Sequence, residues 1–268
     1  MKHWNVERIR TNTCGEKLAC VTVYDYTSAK IADAAGFPLL LVGDSLGMTQ
    51  LGFSSTLPVT LEMMLHHTAA VVRGVSNALV VGDMPFLTYQ VSIAEGIRNA
   101  GRFLQEAGAD AVKIEGGAIR ADLVSALTQN GIPVLGHIGL TPQSVNQMGG
   151  YKVQGRTQVA AEQLIQDARI LEQAGAFGVV LECIPPDVSE TITASLGIPT
   201  IGIGAGPGCD GQVLVMNDLL GLSLDSPPKF VKPYAALAQV MQEAFAAYIK
   251  DVQAGAFPAD EHCYARIS

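Results

Sequence analysis

The sequence has little charge for its length, and this scarcity limits what the protein can be. Of 268 residues, 16% are charged and 49% are hydrophobic, whereas a typical soluble domain carries roughly 25% charged residues. The chain therefore has much apolar surface to bury and little charge to cover the remainder. A large core together with buried subunit contacts would explain both values, which favours a homo-oligomer.

Several signals of location and partner are also missing. No apolar run approaches the ~20 residues needed to span a bilayer, so we expect no membrane partner. The N-terminus, MKHWNVERIR, carries charges where a signal peptide has an apolar core, which argues against export. No basic block stands out and the net charge is −8, which argues against nucleic acid as a partner. The five cysteines form no C-x-x-C pair, a pattern typical of reduced cytoplasmic thiols rather than of a zinc site.

A repeated unit fills most of the chain. A helical pattern ends at a glycine, where a helix C-terminus favours a left-handed residue, and a short apolar run follows. The glycines are Gly36, Gly108, Gly131, Gly175 and Gly197. The runs are continuous rather than alternating, as in parallel strands that are buried on both faces.

Counting these runs predicts eight strands, over residues 18–24, 39–43, 79–83, 111–115, 134–138, 178–182, 200–203 and 212–215. Strands that alternate with helices imply a parallel α/β sheet, and eight such units close into a (β/α)₈ TIM barrel. An open doubly wound sheet is the alternative. No Pro/Ser-rich linker divides the chain, so we predict a single domain over 1–268 with short extensions at 1–17 and 251–268.

Helix positions can also be predicted. Helices are expected over 157–174 and 234–250. Capping boxes are expected at Ser92 with Glu95 and at Asp187 with Glu190.

Three acids stand at the carboxyl ends of successive predicted strands. Asp44, Asp83 and Glu115 follow strands two, three and four, and in barrel enzymes this end carries the active site. Close carboxylates repel one another unless a cation neutralises them. Mg²⁺ prefers oxygen ligands and keeps several waters, so a few carboxylates suffice. The pattern predicts a magnesium site, with ordinary helix caps and turn residues as the alternative.

Three further side chains are expected at the same end. Lys113 lies two residues before Glu115, so both point to one side of their strand, and a buried lysine needs a carboxylate or a substrate anion as its partner. A purely structural Lys–Glu pair is the alternative. His137 would join this ring either as a structural residue or as a ligand. Glu182 ends strand six, as a proton acceptor or as part of an internal salt bridge.

This set of residues suits chemistry on a 2-oxo acid. The carboxylate and keto oxygens can chelate Mg²⁺ together, and the metal then acts as a Lewis acid that stabilises an enolate. Residue types alone allow aldol chemistry, a lyase or a phosphonomutase, whereas a non-catalytic barrel would lack the acids. The long, Gly-rich and polar loop over residues 141–156 is predicted to form a lid over the site. The Gly-rich segment 202–211 is a weak signal, either a phosphate-binding turn or tight backbone packing.

Long motifs identify a resemblance. The motifs include LVGDSLGMTQLGFSSTLPVT (41–60), VKIEGG (112–117), GHIGLTPQSVNQMGGYKVQGR (136–156), LECIP (181–185) and IGIGAGPGCDGQVLVMNDLLG (201–221). Through these stretches, and over about residues 18–235, the chain resembles the ketopantoate hydroxymethyltransferase family, part of the phosphoenolpyruvate mutase/isocitrate lyase barrel superfamily. At position 217 the family favours His, whereas this chain has Asn217.

The resemblance implies an activity and its partners. Such enzymes transfer a hydroxymethyl group from the co-substrate 5,10-methylenetetrahydrofolate to 3-methyl-2-oxobutanoate through a Mg-stabilised enolate. The product is 2-dehydropantoate, in the first step of pantothenate biosynthesis. A Mg-dependent lyase or mutase of the same superfamily, acting on another 2-oxo acid, is the alternative. The family is cytoplasmic in bacteria and often a homo-decamer.

The resemblance also implies roles for single residues of this chain. Asp44, Asp83 and Glu115 match positions that bind the metal. The positions that bind the oxo acid are Asp44, Ser45, Asp83, Lys113 and His137. Glu182 matches the proposed proton acceptor.

Overall fold

The computed structural model of the chain describes residues 2–12, 15–223 and 226–266. It divides into two compact units, Met1–Met216 and Asn217–Ser268. The first unit contains all the strands described below and every predicted site residue. The extent of the predicted single domain over 1–268 stays a prediction.

Eight parallel strands close into a barrel in the first unit. In chain order they are β1 (Leu18–Thr22), β2 (Leu39–Val42), β3 (Leu79–Asp83), β4 (Ala111–Glu115), β5 (Val134–Gly139), β6 (Gly178–Glu182), β7 (Thr200–Ile203) and β8 (Gly211–Leu214). Each strand pairs with the next, and β8 pairs with β1. The closure confirms the predicted (β/α)₈ barrel and excludes the open sheet, and every strand end lies within two residues of its prediction.

Helices follow most of the strands. They are α1 (Val6–Arg10), α2 (Tyr26–Ala35), α3 (Leu46–Thr49), α4 (Leu61–Gly74), α5 (Ile93–Gln105), α6 (Ala121–Gln129), α7 (Val145–Met148), α8 (Gln158–Gln173), α9 (Pro186–Ala194), α10 (Met216–Leu220) and α11 (Leu237–Gln253). The predicted helices over 157–174 and 234–250 correspond to α8 and α11. In the described residues, no helix combines the length and apolar character that a membrane crossing requires.

Hydroxyl side chains start several of these helices. Thr60, Ser92 and Thr157 each accept a hydrogen bond from a backbone N–H of the first turn of α4, α5 and α8. The Ser92 side of the predicted capping box is therefore confirmed, whereas the return contact from the Glu95 side chain stays a prediction. The box predicted at Asp187 is wrong, because α9 already begins at Pro186 and Asp187 lies inside its first turn. Proline suits that first position, since its missing N–H would have no partner there.

The N-terminal segment packs at the end of the barrel opposite the predicted site. Ile9 on α1 is fully buried in one apolar cluster with residues near the amino ends of the strands, among them Leu18, Leu39 and Leu79. Trp4 packs against the same cluster. No helix could be predicted within residues 1–17, because a five-residue helix is too short to show a periodic pattern.

Candidate active site

The predicted site residues meet at the carboxyl end of the barrel. Asp83, Glu115 and Glu182 are the last residues of β3, β4 and β6. In the strand register, Asp83 lies beside Lys113 and Glu115 lies beside His137. Four neighbouring strands thus bring these side chains to one end of the barrel, as the sequence predicted.

Lys113 lies inside this group of acids and is almost completely buried. Its Nζ is 2.7 Å from Asp83 Oδ1 and 3.5 Å from Glu115 Oε1. Burial opposes the charged form, yet the surrounding carboxylates raise the pKa of Lys113 above its usual range. The lysine therefore stays charged, and its side chain points to the same side of β4 as Glu115.

Asp44 has the least cationic support of the clustered acids. It lies just beyond β2 and is buried. Its backbone N–H donates to Asp83 Oδ2 at 3.2 Å, and the side-chain amide of Gln143 donates to its Oδ2 at 3.0 Å. Burial and the nearby charges of Asp83 and Glu115 raise the pKa of Asp44 well above its usual range. A cation placed beside this carboxylate would be strongly favoured.

The pKa values of the other two acids, Asp83 and Glu115, shift in opposite directions beside Lys113. Burial and the charge of Glu115 raise the pKa of Asp83, even though Lys113 opposes that shift. Burial also acts to raise the pKa of Glu115, but Lys113 and His137 outweigh it, so this pKa is lowered. Glu115 is therefore the acid that holds its negative charge most firmly.

His137 lies between two carboxylates. Its Nδ1 is 3.3 Å from Glu115 Oε1, and its Nε2 is 3.2 Å from Glu182 Oε2. Neither contact has good hydrogen-bond geometry, and both are longer than the usual charge-assisted bond of roughly 2.7–2.9 Å. Burial and the charge of Lys113 oppose protonation, but the two carboxylates raise the pKa of His137 to about 9. The ring is therefore cationic at neutral pH.

Glu182 is more exposed than the neighbouring acids Asp83 and Glu115. The run before it in β6 is fully buried, but the Glu182 side chain itself retains 16% of its exposure. The last residue of the strand faces the mouth of the barrel rather than the packed interior. Glu182 is thus the carboxylate of this group that a molecule entering from solvent would meet first.

Ser45 lies next to Asp44 and begins a chain of hydroxyl groups. Its Oγ is 2.9 Å from the hydroxyl of Tyr24, which in turn accepts a hydrogen bond from Thr22 at 2.7 Å. Tyr24 is buried whereas Ser45 is partly exposed. The sequence did not single out Tyr24 or Thr22, because a hydroxyl residue near a strand end has many ordinary uses.

Two buried residues of the site were missed. Gln143 follows β5 and Tyr89 follows β3, and both are less than 5% exposed. The Tyr89 hydroxyl donates to Gln143 Oε1 at 2.6 Å and accepts the backbone N–H of Glu115 at 3.2 Å. The only sequence signal was the position of Gln143 within the motif GLTPQS.

The predicted lid is partly regular structure. Residues 142–144 form a 3₁₀ turn and α7 follows, which leaves 149–156 as the irregular part. The backbone N–H of Gln154 donates to Cys183 O at 2.8 Å, which ties the segment to the end of β6. Tyr151 is about half exposed and lies 3.8 Å from the sulfur of Met48. Burial and the carboxylates of the site raise the pKa of Tyr151, so this ring lies within electrostatic reach of the acids.

The Gly-rich segment 202–211 shows close packing. A Cβ atom on Gly206 would approach Pro186 Cβ to 2.7 Å, and Gly206 has φ of +79°. Both observations require glycine for space and for backbone conformation. They support the packing interpretation of this segment.

The donor set of the site suits a hard divalent cation. The four carboxylates outnumber the two cations, Lys113 and His137, so the buried site holds excess negative charge. Among residues 2–12, 15–223 and 226–266, no three His, Cys, Asp or Glu side chains form a ready-made metal cage. Mg²⁺ does not need one, since it commonly binds one or two carboxylates and keeps waters elsewhere. The residues present therefore fit Mg²⁺ through oxygen donors.

A family model and a curated relative point to the same family. The family model described as "Ketopantoate hydroxymethyltransferase" matches residues 4–260. One curated relative is the 3-methyl-2-oxobutanoate hydroxymethyltransferase of Syntrophus aciditrophicus (strain SB). It is 58% identical over 250 residues, which cover 93% of this chain and 92% of that protein.

Solved structures of lower identity share the barrel. A 2,3-dimethylmalate lyase, described as a PEP mutase/isocitrate lyase superfamily member, aligns with a TM-score of 0.61 at 20% identity, covering 97% of this chain and 91% of that one. A phosphonopyruvate hydrolase in complex with oxalate and Mg²⁺ aligns with a TM-score of 0.63 at 12% identity, covering 98% and 93%. At these identities the likeness concerns the fold alone.

Proposed function

This chain belongs to the ketopantoate hydroxymethyltransferase family of transferases, and from that premise we propose that it transfers a hydroxymethyl group to 3-methyl-2-oxobutanoate. One observation of the structure carries the proposal. A buried cluster of Asp44, Asp83, Glu115 and Lys113 adjoins the more open Glu182, an arrangement that suits catalysis on a 2-oxo acid.

The proposal includes finer points that follow from the family resemblance. The one-carbon donor is 5,10-methylenetetrahydrofolate and the product is 2-dehydropantoate, in the first step of pantothenate biosynthesis. The enzyme works in the cytoplasm as a homo-oligomer, with the decamer as the expected state. The low charge content of the chain supports buried subunit contacts.

Asp44 and Asp83, with Glu115 beside them, are the proposed ligands of Mg²⁺. The raised pKa values of Asp44 and Asp83 support this assignment, because a nearby cation would relieve their unfavourable charge. When bound, the metal would act as a Lewis acid on the oxygens of the oxo acid and make its C3 proton more acidic.

Lys113 and Ser45 are proposed to hold the oxo acid. The lysine ammonium has three N–H donors, and its contacts to Asp83 and Glu115 engage two acceptors. A third donor remains for a substrate oxygen. Ser45, partly exposed beside Asp44, offers a hydroxyl group to the same ligand.

Glu182 is proposed to remove the C3 proton. The ring of His137 lies beside this carboxylate, with Nε2 3.2 Å from Glu182 Oε2. The proton then resides on Glu182, and the carbanion equivalent at C3 attacks the methylene carbon of the folate donor. A new C–C bond forms, and both carbon–nitrogen bonds of the donor methylene group break. Water supplies the hydroxyl group of the product, and the two folate nitrogens take up one proton from that water and the one held by Glu182.

An assay with purified protein tests the activity. We expect consumption of 3-methyl-2-oxobutanoate to require the folate donor, to stop in excess EDTA and to resume on addition of Mg²⁺. Consumption without folate would favour a lyase or mutase instead. Full activity in EDTA would exclude a metal-assisted reaction.

A further inference from the structure

Gln143 connects acids that come from different strands. Its side-chain Nε2 donates to Asp44 Oδ2 at 3.0 Å, and its backbone N–H donates to Glu115 Oε2 at 3.1 Å. Asp44 follows β2 and Glu115 ends β4. One buried residue from the loop after β5 therefore contacts two of the acids proposed as metal ligands.

The amide of Gln143 can adopt only one orientation here. Nε2 also donates to the backbone oxygen of Met84 at 2.9 Å. Oε1 accepts from the Tyr89 hydroxyl at 2.6 Å and from Gln90 Nε2 at 3.2 Å. The two donors and two lone pairs of the amide are thus all used. A flipped amide would set its oxygen against the Asp44 carboxylate and the Met84 carbonyl.

This pattern goes beyond a structural role. A glutamine that only supports a loop needs partners on the backbone, whereas Gln143 contacts one oxygen of each of two carboxylates. It binds Oδ2 of Asp44 and Oε2 of Glu115, while Lys113 and His137 approach the other oxygen, Oε1, of Glu115. Both oxygens of Glu115 and one oxygen of Asp44 therefore have defined partners.

We propose that Gln143 is a positioning residue, which orients Asp44 and Glu115 so that they bind a divalent cation. The proposal rests on the function proposed above. Groups that hold metal ligands in place typically change metal affinity about 10-fold to 100-fold when they are removed. Tyr89 acts one step further out, by orienting the amide of Gln143.

The test is a Mn²⁺ titration of the EDTA-treated full-length protein, followed by electron paramagnetic resonance of the free ion. Gln143→Met keeps the length of the side chain and removes the amide. We expect it to weaken Mn²⁺ binding about 10-fold to 100-fold. Tyr89→Phe, which removes one hydroxyl, is expected to weaken binding about 2-fold to 10-fold.

Thr200→Val provides the matched control. Thr200 is fully buried at the amino end of β7, where its hydroxyl contacts Asp210. This variant loses a buried hydrogen bond far from the acids, so we expect lower thermal stability with unchanged Mn²⁺ affinity. It separates a general loss of stability from a loss of cation binding.

The outcomes distinguish the two proposals. Wild-type affinity in Gln143→Met would overturn the role of Gln143 alone. Should Gln143→Met not fold, wild-type affinity in Tyr89→Phe would overturn it equally. A wild-type protein that binds no Mn²⁺ would overturn both this inference and the proposed metal-dependent function.

Discussion

Buried carboxylates at the two ends of the barrel have different surroundings. At the amino end, Asp33 accepts hydrogen bonds from three consecutive backbone N–H groups, those of Ser76, Asn77 and Ala78, just before β3. Asp110 and Asp210 likewise accept from the backbone of β3 and β7. Each of these acids is supplied with donors by the chain around it.

At the carboxyl end, the acids lie close enough together to repel one another. Asp44, Asp83 and Glu115 are buried together with the single lysine Lys113. Burial and like charges raise the pKa of Asp44. For Asp33, burial opposes ionisation but the backbone N–H groups outweigh it and lower the pKa. Buried aspartates thus stabilise the fold at the amino end and destabilise it at the carboxyl end, where we propose that they bind a cation.

The largest expected effect concerns the base at the carboxyl end. Glu182→Gln removes the proton acceptor but keeps the shape of the side chain, so exchange of the C3 proton of 3-methyl-2-oxobutanoate into D₂O should slow about 10²-fold to 10⁴-fold. Proton NMR of the oxo acid measures this rate. Glu162→Gln, on the exposed face of α8, serves as the control and should exchange normally. Exchange at the wild-type rate in Glu182→Gln would exclude Glu182 as the base.

The second effect concerns the amino end. Asp33→Ala leaves three backbone N–H groups without their acceptor, which should lower the free energy of unfolding by about 3 kcal/mol at neutral pH. Urea unfolding monitored by circular dichroism measures the difference. Activity per folded molecule should not change. A loss below about 0.5 kcal/mol, the usual range for an ordinary surface substitution, would contradict the stabilising role of Asp33.

The pH dependence of this loss follows from the sign of the shift. Because the folded-state pKa of Asp33 is lowered, its contribution is fully present above the unfolded value of about 3.9. It disappears as the pH falls through the lower, folded value. The gap in stability between wild type and Asp33→Ala should therefore narrow in acid and stay constant above about pH 5. A gap that widens in acid would show the opposite shift.

The smallest effect separates the two ends most clearly. Asp44→Asn removes a charge that burial and its neighbours disfavour, so the metal-free protein should gain about 1 kcal/mol of stability. Urea unfolding in EDTA is the measurement. Adding Mg²⁺ should stabilise the wild type and not the variant, because a ligand stabilises only the form that binds it. A loss of stability in EDTA comparable to that of Asp33→Ala would remove the contrast between the ends.

The barrel was predictable because its signals are local. A glycine at a helix end precedes the apolar run of five of the strands, and the eight apolar runs together predict the closed architecture. The positions of Asp83, Glu115 and Glu182 follow from the same reasoning, since the last residue of a barrel strand must lie at the mouth. For these residues, the sequence pattern that predicts the strand also predicts the position of the side chain at the site.

Other features depend on contacts between residues that are far apart in the sequence, so no local sequence pattern predicts them. Gln143 and Tyr89 lie in loops, and their contacts form only when β2 and β4 bring Asp44 and Glu115 within reach. The burial of Ile9 depends on the far end of the barrel. The error at Asp187 had a local cause, because Pro186 takes the first helical position and the N-cap is Pro185, two residues before the predicted one.

The most direct test of the account is anomalous diffraction from crystals soaked with Mn²⁺ and 3-methyl-2-oxobutanoate. We expect one strong peak at the carboxyl end of the barrel, in contact with Asp44 and Asp83, with the oxo acid beside it and close to Lys113. A structure with the oxo acid bound and no ion between these acids, or with Asp44 and Asp83 turned away from each other, would contradict the claim that their crowding serves to bind a cation.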